Sequence, residues 1–431
     1  MSWKTDTYSG WGRIKSATGE LARPERASAL AHVAAEGPAI GNRRSYGDAC
    51  LVSDHRAIDM SRMDKILSFD EASAILHVEA GVPIGELARI FAPRGFLPAV
   101  MPGTGFATVG GCIAMDVHGK NHHGAGSFGQ HVTEVTLASG KVLTPGMELF
   151  RATIGGLGQT GPIQSAKLQM LRGKVDVMMV TERRADDLDS FLTLLDDSTA
   201  TYTVGWIDAT ATGAALGRGI LEEGETGAGL VPPAKRGRRV PLNAPGWALS
   251  SPIVRAFNQL YFRRVPAKGR TLVKPIDDFF FPLDRIHDWN KLYGKKGFHQ
   301  FQCVVPVGER CCIRAMLNAI ATSGLASPLA VLKRMGEGRA GCMSFPMEGY
   351  TLAVDFRNRP GTRGLITELI AECRAAGGRI YFAKDSVARA ADMSGMYPEQ
   401  ADWAALVNAS DPDHRYETDL TKRLDLRSTS K

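Results

Sequence analysis

The chain has 431 residues, 44% of them hydrophobic and 23% charged, which is ordinary for a soluble globular protein. That length favours two domains over one core. The net charge is +7, with an uneven distribution, and nothing resembles a nucleic-acid-binding module, so DNA or RNA is not an expected partner. No window of ~18 uninterrupted apolar residues marks a membrane-spanning helix, and Met1-Ser-Trp-Lys lacks the layout of a signal peptide. The seven cysteines are scattered, without a CxxC or metal-ligand spacing. These features predict a reducing, cytoplasmic setting, no disulfide framework and no zinc site.

In chain order, short apolar segments at 57–60, 65–68 and 75–79 predict strands separated by turns. Apolar residues at 84, 87, 90 and 91 predict a helix beginning near Val82. Residues 132–144 read as a hairpin about Ser139-Gly140, and 163–171 as a strand. Beyond residue 175 glycine clusters thin out and amphipathic stretches such as 185–195 appear. Segment 221–245 is poor in apolar residues and holds four prolines, which predicts a mobile loop. Residues 298–306 and 350–356 read as strands, and 362–376 as a helix ended by Gly377-Gly378.

Three segments carry chemistry. The first is Gly41-Asn-Arg-Arg-Ser-Tyr-Gly-Asp48, a turn whose backbone N–H groups, serine and arginines suit a pyrophosphate. Alone it also reads as a surface turn, and it is neither a dinucleotide-binding GxGxxG nor a Walker loop. The second is 102–129, with eight glycines and His118, His122 and His123. Ordering so many glycines is costly, which makes sense if a large anionic ligand lies on the backbone. A metal at the adjacent histidines is a minor alternative, because neighbouring side chains do not converge well on one ion. The third is Gly377-Gly-Arg-Ile-Tyr-Phe-Ala-Lys-Asp-Ser386, where Lys384 ends an apolar run. Such a lysine is solvated in the plain reading. Buried beside a substrate, it would stabilise an oxyanion or act as a base. The basic segments 233–239 and 262–270 read either as solvated loops or as a patch for phosphate or an anionic membrane.

Arg44-Ser-Tyr-Gly-Asp48, Pro102-Gly-Thr104, Thr108-Val-Gly-Gly111, the Asp116-x-His-Gly-Lys-Asn-His-His123 run and Ala383-Lys-Asp-Ser386 follow one another in an order that resembles the vanillyl-alcohol-oxidase (PCMH-type) flavoproteins. Within that group the chain is similar, nearly end to end, to the branch acting on polyprenyl-phosphoryl ribose. The resemblance implies an α+β fold of two domains: a PCMH-type FAD-binding domain at 1–175 and a substrate domain at 176–378. The latter is built on an antiparallel sheet with flanking helices, and a segment at 379–431 returns to the FAD domain. It implies FAD held by Ala39, Ile40, Gly41, Asn42, Arg43, Arg44, Ser45, Tyr46, Gly47, Asp48 and Ala49. Thr108, Val109, Gly110 and Gly111 join them at the pyrophosphate, and Gly103, Met115, Asp116, Val117, His118, Ile163 and Tyr381 line the rest. Covalent relatives carry a histidine where this chain has Arg44, so the FAD is expected to be non-covalent.

The same resemblance places Lys384, His118 and Tyr46 at the reacting alcohol, assisting proton loss while its carbon gives hydride to the flavin. Gln300, Gln302, Lys333, Trp206, Ala353, Phe280 and Lys384 match substrate-pocket positions. Arg43, Ala353 and Phe280 depart from the usual small residue, cysteine and tyrosine there. The implied reaction is oxidation of the 2′-hydroxyl of a polyprenyl-phosphoryl pentose to a keto sugar, the first half of an epimerisation in cell-envelope polysaccharide synthesis. A separate short-chain NAD(P)H-dependent reductase would complete it, with peripheral membrane contact. The alternatives are an oxidase of soluble sugars, alditols or aldonolactones, and a flavin-free sugar-phosphate-binding subunit.

Overall fold

The computed structural model describes residues 2–233 and 236–429. Two small sheets form the N-terminal part. In the first, Lys4–Ser9 pairs antiparallel with Ser16–Ala22, which continues in parallel through Arg56–Asp59 to Ala39–Ile40. In the second, the order is Ile66–Asp70, Ile75–Glu79, Ile163–Arg172, Val132–Leu137 and Val142–Leu143, with Phe96–Pro98 also on Ile163–Arg172. The predicted helix is Ile84–Phe91, and its Ile84, Leu87, Ala88 and Phe91 enter the core shared by the two sheets.

From Val177 onward the chain builds one antiparallel sheet of eight strands. Its order is Arg270–Pro275, Val177–Ala185, Gly219–Gly227, Tyr202–Ile207, Ala326–Met335, Gly349–Arg357, Phe298–Val305 and Arg379–Ile380. Helices Leu188–Asp197, Arg310–Ser323 and Thr362–Ala375 share one hydrophobic core with a single parity of the strands, including Phe301, Cys303, Leu332, Leu352 and Val354. Side chains alternate across a strand, so the other parity, with Gln300, Gln302, Lys333 and Ala353, faces away from those helices. Gly377, at φ 67°, ends the last helix as its sequence predicts.

The predicted loop at 221–245 needs correction. Its first part is the strand Gly219–Gly227, flanked on both sides within the sheet. The low apolar content misleads because its acids find partners on neighbouring elements. Glu222 pairs with Lys274 and Arg264, and Glu223 pairs with Arg183 and accepts from Ser198. Arg238–Arg239 is a second short strand, parallel to Ile286–His287. Ala234 and Lys235 of the basic 233–239 segment lie outside the described residues. Half of the second basic segment also turns inward, since Arg264 and Arg270 both bind the buried Glu182.

The last segment packs back on the N-terminal half. Trp403 Nε1 donates to the Ala152 carbonyl at 3.0 Å, and the Ser53 hydroxyl donates to Asp419 at 2.7 Å. Arg423 donates to both oxygens of the buried Asp48, at 2.8 and 2.7 Å, and reaches Asp385 at 2.8 Å. Lys15 adds a contact to Asp48 at 2.6 Å. Burial pushes the Asp48 carboxyl up, but Arg423 and Lys15 outweigh it and hold the group below its ordinary value.

Candidate active site

Between the N-terminal sheets and the helix-free face of the large sheet lies a cavity of about 690 Å³, within the range of cofactor and substrate sites. One wall is the 39–46 loop and the Gly103 turn. The floor is the glycine helix Val109–Ala114 with Met115, Val117, His118 and Ile163, and the far wall is the strand face. Ala39, Ile40, Gly41, Asn42, Arg43, Arg44, Ser45, Tyr46, Ala49, Thr108, Gly110, Gly111 and Tyr381 line it. So do Gln300, Gln302, Lys333, Trp206, Ala353, Phe280 and Lys384.

Four expected cofactor residues sit elsewhere. Gly47 packs against the Asp385 carbonyl, and Asp48 is held in the ion-pair cluster. Val109 is core. Asp116, buried and at φ 38°, accepts from the Gly129 N–H at 2.8 Å and from the Ser344 hydroxyl. It thereby anchors the 336–344 loop. Burial pushes its carboxyl up.

The expected role of the Thr108–Gly111 amides also changes. The Val109 N–H donates to Val82 O at 2.9 Å and the Gly110 N–H to Ala80 O at 2.7 Å. The Thr108 hydroxyl caps the Gly111 N–H at 3.2 Å. These donors are already used, so Gly110 and Gly111 offer a bare backbone surface instead. The donors left over are in the other loop. Among the described residues the amides of Asn42, Arg43, Arg44 and Ser45 have no protein acceptor, in a turn where Arg43 takes φ 52°. A Cβ on Gly103 would meet nothing within 4 Å. The Arg44 guanidinium lies between the Trp11 and Phe106 rings at 4.4 and 4.6 Å, with its buried Nε unpartnered. A run of free amides, an orphaned guanidinium nitrogen and an open glycine turn fit a bound dinucleotide with its diphosphate at 42–45.

The strand face carries the chemistry. Val331, Ala353 and Gln302 stand in one cross-strand row, and Lys333 faces Thr351. Lys333 Nζ lies 3.0 Å from His118 Nδ1 and donates to the Gly119 carbonyl at 3.2 Å. His118 Nε2 lies 3.0 Å from the Gln302 amide nitrogen. That nitrogen donates to the Thr351 hydroxyl at 3.2 Å. Burial, Lys333 and His122 together push His118 well below its ordinary value. It stays neutral, with one ring nitrogen against Gln302 and the other against Lys333. His122 Nδ1 accepts from the Gly336 N–H at 3.2 Å, and His123 Nε2 bonds the Ala200 carbonyl at 2.8 Å. Both therefore have structural partners.

Lys384 Nζ sits 3.8 Å from the centre of the Tyr46 ring, and no hydrogen-bond acceptor for it occurs among the described residues. Burial pulls it below its ordinary value, while Asp355 pulls it back up. Burial raises the Asp355 carboxyl, which accepts from Tyr293 at 2.9 Å and from Gln300. Burial also raises the Tyr46 phenol well above its usual value, which leaves it a donor. Lys333 is pulled down to about 7 and Lys120 to about 8, chiefly by burial. Three lysines thus converge on one cavity.

Sequence reasoning missed Lys120, Glu222, Tyr261 and Asp284 on the wall, and Asp355 behind it. Asp355 was within reach, since it shares the strand parity of Ala353. Asp284 was not, because a segment 180 positions away brings it to Thr104, at 2.8 Å.

Residues 29–145 match the FAD binding domain family. The chain is 33% identical to the decaprenylphosphoryl-beta-D-ribose oxidase of Mycolicibacterium smegmatis, over 98% of both proteins. It is 32% identical to an uncharacterised Streptomyces coelicolor protein, over 80% of this chain and all of the other. A mitochondrial D-2-hydroxyglutarate dehydrogenase of Bos taurus is 27% identical over 36% of this chain and 32% of its own. The flavin-free reading falls with these likenesses, and the cofactor is FAD. The chain is an FAD-dependent oxidoreductase of the PCMH-type flavoproteins and belongs to the decaprenylphosphoryl-β-D-ribose oxidase family.

Proposed function

We propose that the enzyme oxidises the 2′-hydroxyl of a polyprenyl-phosphoryl ribose to the keto sugar. A separate short-chain NAD(P)H-dependent reductase would then complete the epimerisation. The observation that carries this reading is the convergence of Lys120, Lys333 and Lys384 on a cavity that also presents Trp206, Tyr261 and two glutamines. Ammonium groups suit a phosphate, and amides and aromatic faces suit a sugar.

Bound FAD supplies the hydride acceptor. The chain's own residues do the rest. The amides of 42–45 and the Arg44 guanidinium hold the cofactor's diphosphate. Lys120 and Lys333 neutralise the substrate phosphate. Gln302 is fixed by His118 and Thr351, and Gln300 by Asp355, so each offers one set orientation to the sugar. Lys384, below its usual range and without its own acceptor, takes the hydroxyl proton in its neutral form.

The test is anaerobic bleaching of the flavin by a panel of substrates. Polyprenyl-phosphoryl ribose should bleach it, with free ribose, alditols and aldonolactones at least ~100-fold less effective in kcat/KM. Comparable bleaching by a soluble alditol or lactone would overturn the assignment.

A further inference from the structure

The helix Ser251–Arg263 is amphipathic in an unusual sense. Its inner face is short: Val254 and Phe262 are buried, and Asn258 donates to Asp208 at 2.7 Å. Its outer face presents Ile253, Phe257 and Leu260, spaced i, i+4, i+7, with Leu260 73% exposed. Trp247, 69% exposed, stands just before the helix. Single exposed leucines mean nothing, but an outward stripe of large apolar side chains does. Arg255 and Arg263 are exposed on the same helix, and Arg239, exposed on the strand Arg238–Arg239, lines the same cavity as Tyr261 of this helix.

The stripe runs into the active site. Phe257 stacks on Tyr261 with ring centres 5.9 Å apart, and Tyr261 packs on Trp206 at 4.7 Å. Tyr261, Trp206 and Arg239 all line the cavity that holds Lys384. An apolar ridge with a basic rim, continuous with a cavity mouth, has the chemistry of an interfacial helix at the headgroup boundary. A second copy of the chain would bring the same arginines against one another, which disfavours a self-interface.

We infer that the outer face of Ser251–Arg263, with Trp247 and its arginine rim, docks on an anionic lipid bilayer and opens the active-site mouth onto it. No helix among the described residues is long and apolar enough to cross a membrane, so attachment through this face is peripheral. The inference deepens the proposed lipid-linked substrate and rests on that reading for the cargo, but binding to lipid is measurable without the reaction.

The test uses the FAD-loaded full chain and substrate-free vesicles, either of phosphatidylglycerol with phosphatidylcholine or of phosphatidylcholine alone. The wild type should co-sediment with the anionic vesicles at least tenfold better than with the neutral ones. Ile253→Glu/Leu260→Glu should lose at least tenfold of that binding while keeping its flavin and its bleaching by a short-chain, water-soluble substrate. Arg255→Glu/Arg263→Glu leaves the apolar ridge intact and should lose the preference for anionic lipid, which keeps the test decisive if the first variant fails to fold. Wild-type protein that stays in the supernatant overturns the inference. So do variants that bind as well as wild type, and so does a wild-type dimer in sedimentation velocity that Ile253→Glu/Leu260→Glu abolishes. Vesicle binding without oxidation of the lipid-linked sugar would leave the docking surface standing and remove the proposed substrate.

Discussion

Lys384→Ala is the sharpest test of the proton-accepting assignment, because structure predicts opposite signs for activity and stability. The amine sits over the Tyr46 ring at 3.8 Å with no acceptor of its own among the described residues. Its removal breaks no hydrogen bond in the free protein. It also removes a buried cation that pushes Lys333 and His118 down. The apoprotein should therefore melt no lower than wild type. Turnover should behave oppositely. Loss of a positioned base costs ~10²–10⁴-fold in rate, or about 3–5 kcal/mol of barrier. The protonation sign follows from burial. The folded-state value of Lys384 lies below that of a free lysine, so the neutral form accumulates as pH rises, at a pH lower than free lysine requires. Wild-type kcat/KM should rise with pH through that range, and the residual activity of Lys384→Ala should lose the rise. The assay is the rate of anaerobic flavin bleaching across pH, with melting of the flavin-free protein alongside. Near-wild-type bleaching in Lys384→Ala would refute the assignment, as would a wild-type profile that falls as pH rises. A rate lost only together with stability would refute the reasoning that Lys384 has no structural duty.

Gly47→Ala probes the seam between the two chain ends. The new Cβ would lie 1.9 Å from the Asp385 carbonyl oxygen, so the segments must part by about 1 Å. That strains the bond from the Tyr46 N–H to Ala383 O, now 2.8 Å. Urea unfolding should show a loss of ~1–3 kcal/mol, and a shift of this size beside Lys384 should slow bleaching ~100-fold. Acid precipitation should leave the FAD in the supernatant, because Arg44 stands where covalent relatives carry histidine; flavin in the pellet would contradict this. The flavin-free protein should be more resistant to urea at pH 9 than at pH 7. Lys333 and Lys120 sit at about 7 and about 8 when folded, below the free-lysine value, so above those values the unfolded chain binds more protons and stability rises with pH.

Much of the fold was legible because its signals are local. The helix Ile84–Phe91 shows its period in sequence, and Gly377 ends Thr362–Ala375 at the position where a left-handed residue is needed. The strand 219–227 was illegible for the opposite reason. Its glutamates are tolerated only because Lys274, Arg264 and Arg183 come from elsewhere in the chain. The same distinction divides the site. Gly41 to Ser45 declared a diphosphate loop by residue type, and the strand parity of Gln300 and Gln302 put both on one face. Which glycine-rich amides were free could not be read, because Val109 and Gly110 spend theirs on Val82 and Ala80 carbonyls. Asp48 and Asp116 sit inside diagnostic motifs yet brace distant segments, so a motif marks a region more reliably than it assigns a ligand contact.

The electrostatics of the cavity tie these parts together. Lys120 and Lys384 both oppose the charge on Lys333 in a desolvated space, and His118 is driven neutral beside Lys333 and Lys384. In the free protein this arrangement is unfavourable, and burial is the first cause of each depression. An anion seated by Lys120 and Lys333 offsets that cost and returns both toward their ordinary values, which strengthens its own binding. Lys384 differs in its partner. The carboxylate that raises it, Asp355, is itself held up by burial and already accepts from Tyr293 and Gln300. Its compensation is therefore weak. Under the proposed function, the two lysines that would meet the phosphate become more cationic on binding, and Lys384, whose compensation is weak, is then the easiest to find neutral. Under that function, one cluster of like charges would thereby be divided into two roles, an anchor for the phosphate and an acceptor for the hydroxyl proton.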